Sequence, residues 1–391
     1  MALFPVPPPE YSSSAPCPTY SPSPRPTERT VQYSARRPPP PSGIYMKRLG
    51  DVTVLVLNQE EEDAEHPSLG VGRLLAGSVL VENPNVKSVL LKIKGLVELA
   101  PISPAYLPFP VLETTKILYS GGPSTASSHN FPFEYSFPRT FLHDTGRCSL
   151  PPTFGMPFGR GLFVRCSYRV TVTVSSTRRH ASFLNKNENV SFQLDYRPRS
   201  RPSQPMILSP SLFDTIKYCP EEWKQLESIV SAPSKSPLMC DLFAPSRGVF
   251  CVDEVIPFHL QLSGAAACFS HISRFFMGTT AHPGLRVYMR RQISVDLGCG
   301  KTIKEINLGE GTLRLLGAHD SKGKGYLNWE GQVQCGDPKS VVASFECGHV
   351  SIQDALVVEM IPPHECAFKR TVFEYRIKLA TDRWDAGEWQ Q

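Results

Sequence analysis

The stretch Leu162-Phe163-Val164-Arg165-Cys166-Ser167-Tyr168-Arg169-Val170-Thr171-Val172-Thr173-Val174 decides the fold. Leu162, Val164, Cys166, Tyr168, Val170, Val172 and Val174 take every second place, and Phe163, Arg165, Ser167, Arg169, Thr171 and Thr173 take the others. Apolar residues at period two, β-branched toward the end, describe a strand with one dry and one wet face. A strand of that length cannot stand alone, because its dry face needs a second sheet to lie on. Gly159-Arg160-Gly161 turns the chain into it.

The same period recurs upstream. Val52, Val54 and Val56 make a first strand, and Leu74 to Val81 a second. After the turn Asn83-Pro84-Asn85, Val89, Leu91, Ile93, Val97 and Leu99 alternate with Lys92 and Lys94. Gly95 interrupts that strand as a bulge or bend. Pro101 to Pro110 reads as an irregular connection and Glu113 to Tyr119 as a strand. Phe131 to Pro138 alternates aromatic residues with polar ones or proline, which argues for an edge position or strand ends. Val190 to Leu194 closes this half.

Downstream, Tyr196 to Pro205 is a basic linker stiffened by proline. Pro220 to Val230 reads as the one helix, with Pro220, Glu221 and Glu222 in its first turn and Trp223, Leu226 and Val230 near one face. Strands resume at Ile256, Phe258, Leu260 and Leu262. Leu285, Val287, Met289, Ile293, Val295 and Leu297 hold one parity across the polar Arg291. Val341 to Phe345, Val350 to Met360 and Phe373 to Leu379 follow. Two halves of strands predict an all-β chain of two tandem sandwiches. A glycine before a long strand in each half (Gly161, Gly348) hints at duplication. The expected boundaries are an arm over 1–43, a first sandwich over 44–195, a linker with a short helix over 196–235, a second sandwich over 236–381 and a polar tail over 382–391.

A chain of 391 residues has room for two ordinary domains. At 41% hydrophobic and 20% charged residues it is globular in composition. Its net charge of +5 falls short of an argument for nucleic acid. The 11 cysteines are odd in number and contain no C-x-x-C pair, which suits a reducing compartment. Met1 is followed by prolines rather than a signal peptide, and no apolar run reaches membrane-spanning length. These features predict a cytoplasmic protein.

Residues 1–42 hold 13 of the 38 prolines and no hydrophobic periodicity, so they read as a disordered arm of polyproline II character. Inside it lies Pro8-Pro9-Glu10-Tyr11. Gly300-Lys301-Thr302 lacks the glycine that a phosphate loop needs five places earlier, where Val295 stands, and reads as a basic turn. Cys268, His271, His364 and Cys366 lack a second ligand pair at finger spacing. No catalytic residue, metal site or cofactor is expected. Lys47, Arg48, Lys92, Lys94, Arg178 and Arg179 are the candidate contacts for acidic cytoplasmic tails or anionic lipid.

Several stretches together resemble the arrestin family. Gly72 to Leu99, Phe131 to Pro138, and "LPPTF" ahead of "VRCSYRVTVTV" are similar to landmarks of an arrestin N-domain. "VFCVDEVIPFHLQLSG", "YLNWEGQV" and "SFECGHVSIQDALVVEMIPP" resemble the opening and closing strands of its C-domain. The resemblance covers about residues 45–380 and rests on the order of loose patterns. It is nearest the fungal arrestin-related trafficking adaptors, or alpha-arrestins. It implies two immunoglobulin-like sandwiches without enzymatic activity. It also implies a WW-domain HECT-type ubiquitin ligase as partner, with plasma-membrane transporters or receptors as cargo. The protein would then be recruited peripherally to plasma membrane and endosomes. Pro8, Pro9, Glu10 and Tyr11 match the Pro-Pro-x-Tyr motif that such ligases bind. The prolines pre-set the docking helix and the tyrosine fills the next aromatic pocket. Many relatives carry this motif in a C-terminal tail, whereas here a single copy stands in the arm and forgoes the avidity of paired motifs. The alternative is an arrestin-fold sorting or signalling scaffold that does not use ubiquitin.

Overall fold

Among the described residues, alternation of apolar and polar residues produces 23 strands. The computed structural model describes residues 43–59, 65–69, 74–100, 107–121, 129–144, 146–159, 162–178, 181–206, 212–231, 236–266, 269, 276, 284–296, 300–321, 323–362 and 368–384. Pro8, Pro9, Glu10 and Tyr11 lie outside them.

The first half contains β1 (Gly43–Leu49), β2 (Val52–Gln59), β3 (Ser68–Leu69), β4 (Leu74–Val81), β5 (Val86–Ala100) and β6 (Leu107–Ser120). It continues with β7 (Asn130–Ser136), β8 (Thr140–His143), β9 (Gly146–Ser149), β10 (Phe154–Gly159), β11 (Leu162–Arg178) and β12 (Ala181–Tyr196). One sheet has the order β1-β2-β4-β7, and the facing one β3-β12-β11-β5-β6 with β10 added to β11. The stretch that decides the fold is thus the middle of a sheet. Val164, Cys166, Tyr168, Val170, Val172 and Val174 are all at most 1% exposed, and they pack on Val52, Val54, Val56, Leu75 and Val79 of the opposite sheet. β7 is an edge strand, one of the two placements its prolines allow. The pairing of β5 with β6 shifts register between Gly95 and Leu96, so the interruption at Gly95 is a bulge. The expected loop Pro101 to Pro110 ends earlier than read, because Leu107 already opens β6.

After helix α1 (Leu212–Tyr218) come β13 (Trp223–Val230), β14 (Leu238–Pro245), β15 (Val249–Cys251), β16 (Ile256–Ala265), β17 (Leu285–Asp296) and β18 (Lys301–Glu310). The chain ends with β19 (Thr312–Ser321), β20 (Lys324–Val333), β21 (Phe345–Cys347), β22 (Val350–Met360) and β23 (Thr371–Ala380). Their sheets run β13-β14-β16-β20-β19 and β15-β23-β22-β17-β18, with β21 added to β22. The sheet orders of the two halves correspond: β3, β12, β11, β5 and β6 take the places of β15, β23, β22, β17 and β18. The hairpins β10–β11 and β21–β22 also correspond, and Gly348 turns the second of them with a φ of +53°.

The helix expected over Pro220 to Val230 is not there. Pro220–Glu222 forms one 3-10 turn, and Trp223–Val230 is β13, paired residue by residue with β14. Val230 is buried in the second core with Leu226 packed against it, and that tertiary pairing overrides a spacing that also fits a helix. The second sandwich therefore begins at Trp223, thirteen residues before the expected boundary at 236. The helix instead lies at Leu212–Tyr218. Val341 to Ser344 is not in a strand, and only Phe345–Cys347 forms one there. Lys301 and Thr302 open β18 rather than sitting in a turn.

The sandwiches share apolar contact. Val295, Cys347 and Val350 of the second belong to the core of the first, and Phe154 and Phe345 meet with ring centroids 5.1 Å apart. His143 stands edge-on to His349 at 4.8 Å. Among the described residues, no helix is long and apolar enough to cross a membrane.

Candidate interaction surfaces

Where β17 and β22 leave the second core, the alternation places charge on the dry side. Arg291 and Asp354 are direct cross-strand partners, 3% and 0% exposed. Their pairing is bidentate: Arg291 Nε donates to Oδ1 at 2.8 Å and Nη2 to Oδ2 at 2.9 Å. Ser344 Oγ donates to Asp354 Oδ2 at 2.7 Å and accepts from Leu379 N–H at 2.7 Å. The ion pair thus fixes β17, β22, β23 and the segment before β21. The corresponding strands of the first sandwich carry the same bond with the charges exchanged. Arg165 on β11 donates to Glu98 on β5 at 2.6 Å, with the arginine half exposed. Sequence parity showed Arg291 as an interruption of an apolar face, but not its partner, which lies 63 residues away.

Above this pair a cleft of about 1750 Å³ is lined by both sandwiches and by the linker between them. Arg139, Lys339, Arg376 and Lys378 are exposed around it. The linker is bound to the chain where it leaves β23. Ser200 N–H donates to Thr381 Oγ1 at 2.8 Å, Asp382 N–H to Ser200 O at 3.0 Å, and Arg199 pairs with Asp382 at 3.4 Å. The expected basic linker is therefore a fastened strap, not a loose tether.

The candidate basic residues fall on separate surfaces. Lys47 and Arg48 are exposed on the edge strand β1, where Arg48 pairs with Glu82 at 2.7 Å. Lys92 and Lys94 share the wet face of β5. Arg169, missed in the sequence reading, lies directly across from Lys94 on β11, so the structure gathers three cations on one face. Glu113 on β6 lies directly across from Lys94. Its hydrogen bond and charge contact with Lys92, at 2.8 Å, hold it below the usual carboxylate range, and the charge of Lys94 adds to this. The signal for Arg169 in the sequence was its wet parity two places from Ser167 and Thr171. The side chain of Arg178, and Arg179 altogether, lie outside the described residues, as do Cys268, His271, His364 and Cys366.

Like charges directly across a ladder destabilise it. Arg169→Glu is therefore expected to raise stability by about 0.2–1 kcal/mol, through pairing with Lys94, while weakening sedimentation with anionic vesicles. Chemical denaturation and a vesicle spin-down measured on the same preparation check both signs.

A scan against protein-family models gives no match, and a search of curated proteins gives none. Among solved structures the chain is similar to squid arrestin, at 12% identity and a TM-score of 0.43, over 86% of this chain and 97% of that one.

Proposed function

We propose that this chain is a non-catalytic, arrestin-type adaptor. Through Pro8-Pro9-Glu10-Tyr11 it engages a WW-domain HECT-type ubiquitin ligase. Through its sandwiches it holds cytoplasmic tails of plasma-membrane transporters or receptors, whose ubiquitylation and endocytosis it promotes. The observation that supports this reading is a frame of two like-built sandwiches with a shared apolar junction and a fastened linker, preceded in the sequence by Pro8-Pro9-Glu10-Tyr11. Such a frame presents a fixed surface to one partner while the arm reaches another. The basic face of Lys92, Lys94 and Arg169 suits acidic tails or anionic lipid headgroups. The protein acts from the cytoplasm at plasma membrane and endosomes.

Full-length protein and its Tyr11→Ala variant are compared for retention on immobilised WW domains. Loss of retention in the variant by tenfold or more is expected, since truncating the aromatic anchor of a short motif removes well over 1.4 kcal/mol. Equal retention would remove the ligase from the account.

A further inference from the structure

The junction between the sandwiches holds thiols that the adaptor reading does not use. The β8–β9 hairpin of the first sandwich packs directly against β21 of the second. Its tip sits on the β21–β22 turn: a Cβ added at Gly348 would lie 2.7 Å from the His143 ring. Cys148 is the cross-strand partner of Phe141, on the hairpin face that also carries His143. Cys347 immediately precedes Gly348 and is fully buried, whereas Cys148 is half-buried. A third thiol, Cys166, is buried in the same core as Cys347. Burial, and after it the neighbouring Cys148, pushes the Cys347 thiol up to about 12.

We propose that Cys148 and Cys347 form a reversible disulfide that joins the two sandwiches under oxidising conditions. Glutathione disulfide is a sufficient oxidant. The half-buried Cys148 attacks it, forming the Cys148–glutathione bond and releasing one glutathione. The Cys347 thiolate then attacks the Cys148 sulfur, forming the Cys148–Cys347 bond and expelling a second glutathione, which takes up the proton lost by Cys347. Two protein thiols are oxidised and one glutathione disulfide is reduced to two thiols. The product fixes the sandwich orientation on which the cleft depends. Because the second step needs a thiolate that burial suppresses, the lock forms slowly, under sustained rather than brief oxidation.

Purified full-length protein is incubated with glutathione disulfide at pH 7, 8 and 9, digested without reductant and read by mass spectrometry. The expected result is a peptide linking Cys148 to Cys347, reversed by dithiothreitol. Its rate of formation should rise about tenfold per pH unit, as the thiolate fraction of Cys347 does. Cys148→Ser, a change at a half-buried site, should abolish that peptide and leave the melting temperature of the reduced protein unchanged. Accumulation of Cys148 as a stable glutathione adduct at every pH, without the linked peptide, would overturn the proposal. So would a linkage of either cysteine to a different partner in its place.

Discussion

Asp354→Ala is expected to destabilise the protein by about 3–5 kcal/mol, because it leaves the Arg291 guanidinium buried without a counter-charge. The arginine cannot swing to water without withdrawing from β17, where its neighbours Met289 and Ile293 are fully buried. The same change strips Ser344 of its acceptor, and Ser344 in turn holds the Leu379 amide of β23. Replacing both charges together, as Arg291→Met with Asp354→Leu, removes the desolvation cost along with the bond. That pair should recover most of the loss. Urea denaturation of the two variants, followed by a probe in the second sandwich, measures the difference. A loss under about 1 kcal/mol for Asp354→Ala would mean that Arg291 already reaches solvent through the cleft. Arg165→Ala, at the matching place in the first sandwich, should cost much less. Its guanidinium is half exposed and covers Glu98, so truncating it uncovers that carboxylate to water.

Gly95→Ala should cost about 1–3 kcal/mol, although it adds a single methyl group. A Cβ there would stand 2.6 and 2.8 Å from two carbons of the Tyr168 ring and 3.1 Å from Leu112 Cβ. Tyr168 cannot give way. Its hydroxyl donates to Pro151 O at 2.6 Å, and its ring lies 5.2 Å from Tyr196 and 5.9 Å from Phe137. Adding Tyr168→Leu to Gly95→Ala relieves the clash, so the double variant should lose less than the sum of the two single ones. Strict additivity in a denaturation cycle would show that the glycine answers only to the bulge between β5 and β6.

Both predictions separate what could be read from residues in order from what could not. The alternation of Val164 to Val174 gave the central strand, its dry face and the need for a second sheet. The proline pattern of Phe131 to Pro138 narrowed that segment to an edge or strand ends, and Gly95 marked a bulge or bend; the sheet made them an edge and a bulge. These features are local: each follows from the two-residue period of a strand or from a residue whose backbone is restricted or permissive. At Trp223–Val230 the local pattern failed. Apolar residues three, four and seven places apart fit a helix face as well as a half-buried edge strand, and pairing with β14 settled the matter. Of the candidate surface cations, parity placed Lys92 and Lys94 outward, but only the sheet order brought Arg169 beside them.

The sequence by itself therefore determined that this protein is built of layered strands in two successive halves, with a proline-rich arm bearing Pro8-Pro9-Glu10-Tyr11. Burial of alternate side chains is a property of each strand taken singly, so it is written along the chain. Only the tertiary structure decided that Arg291 meets Asp354, that Ser200 meets Thr381, and that Cys148 and Cys347 face one junction. Those pairings join residues between 63 and 199 positions apart. Such contacts are chosen by which strands become neighbours, and no local period records that choice.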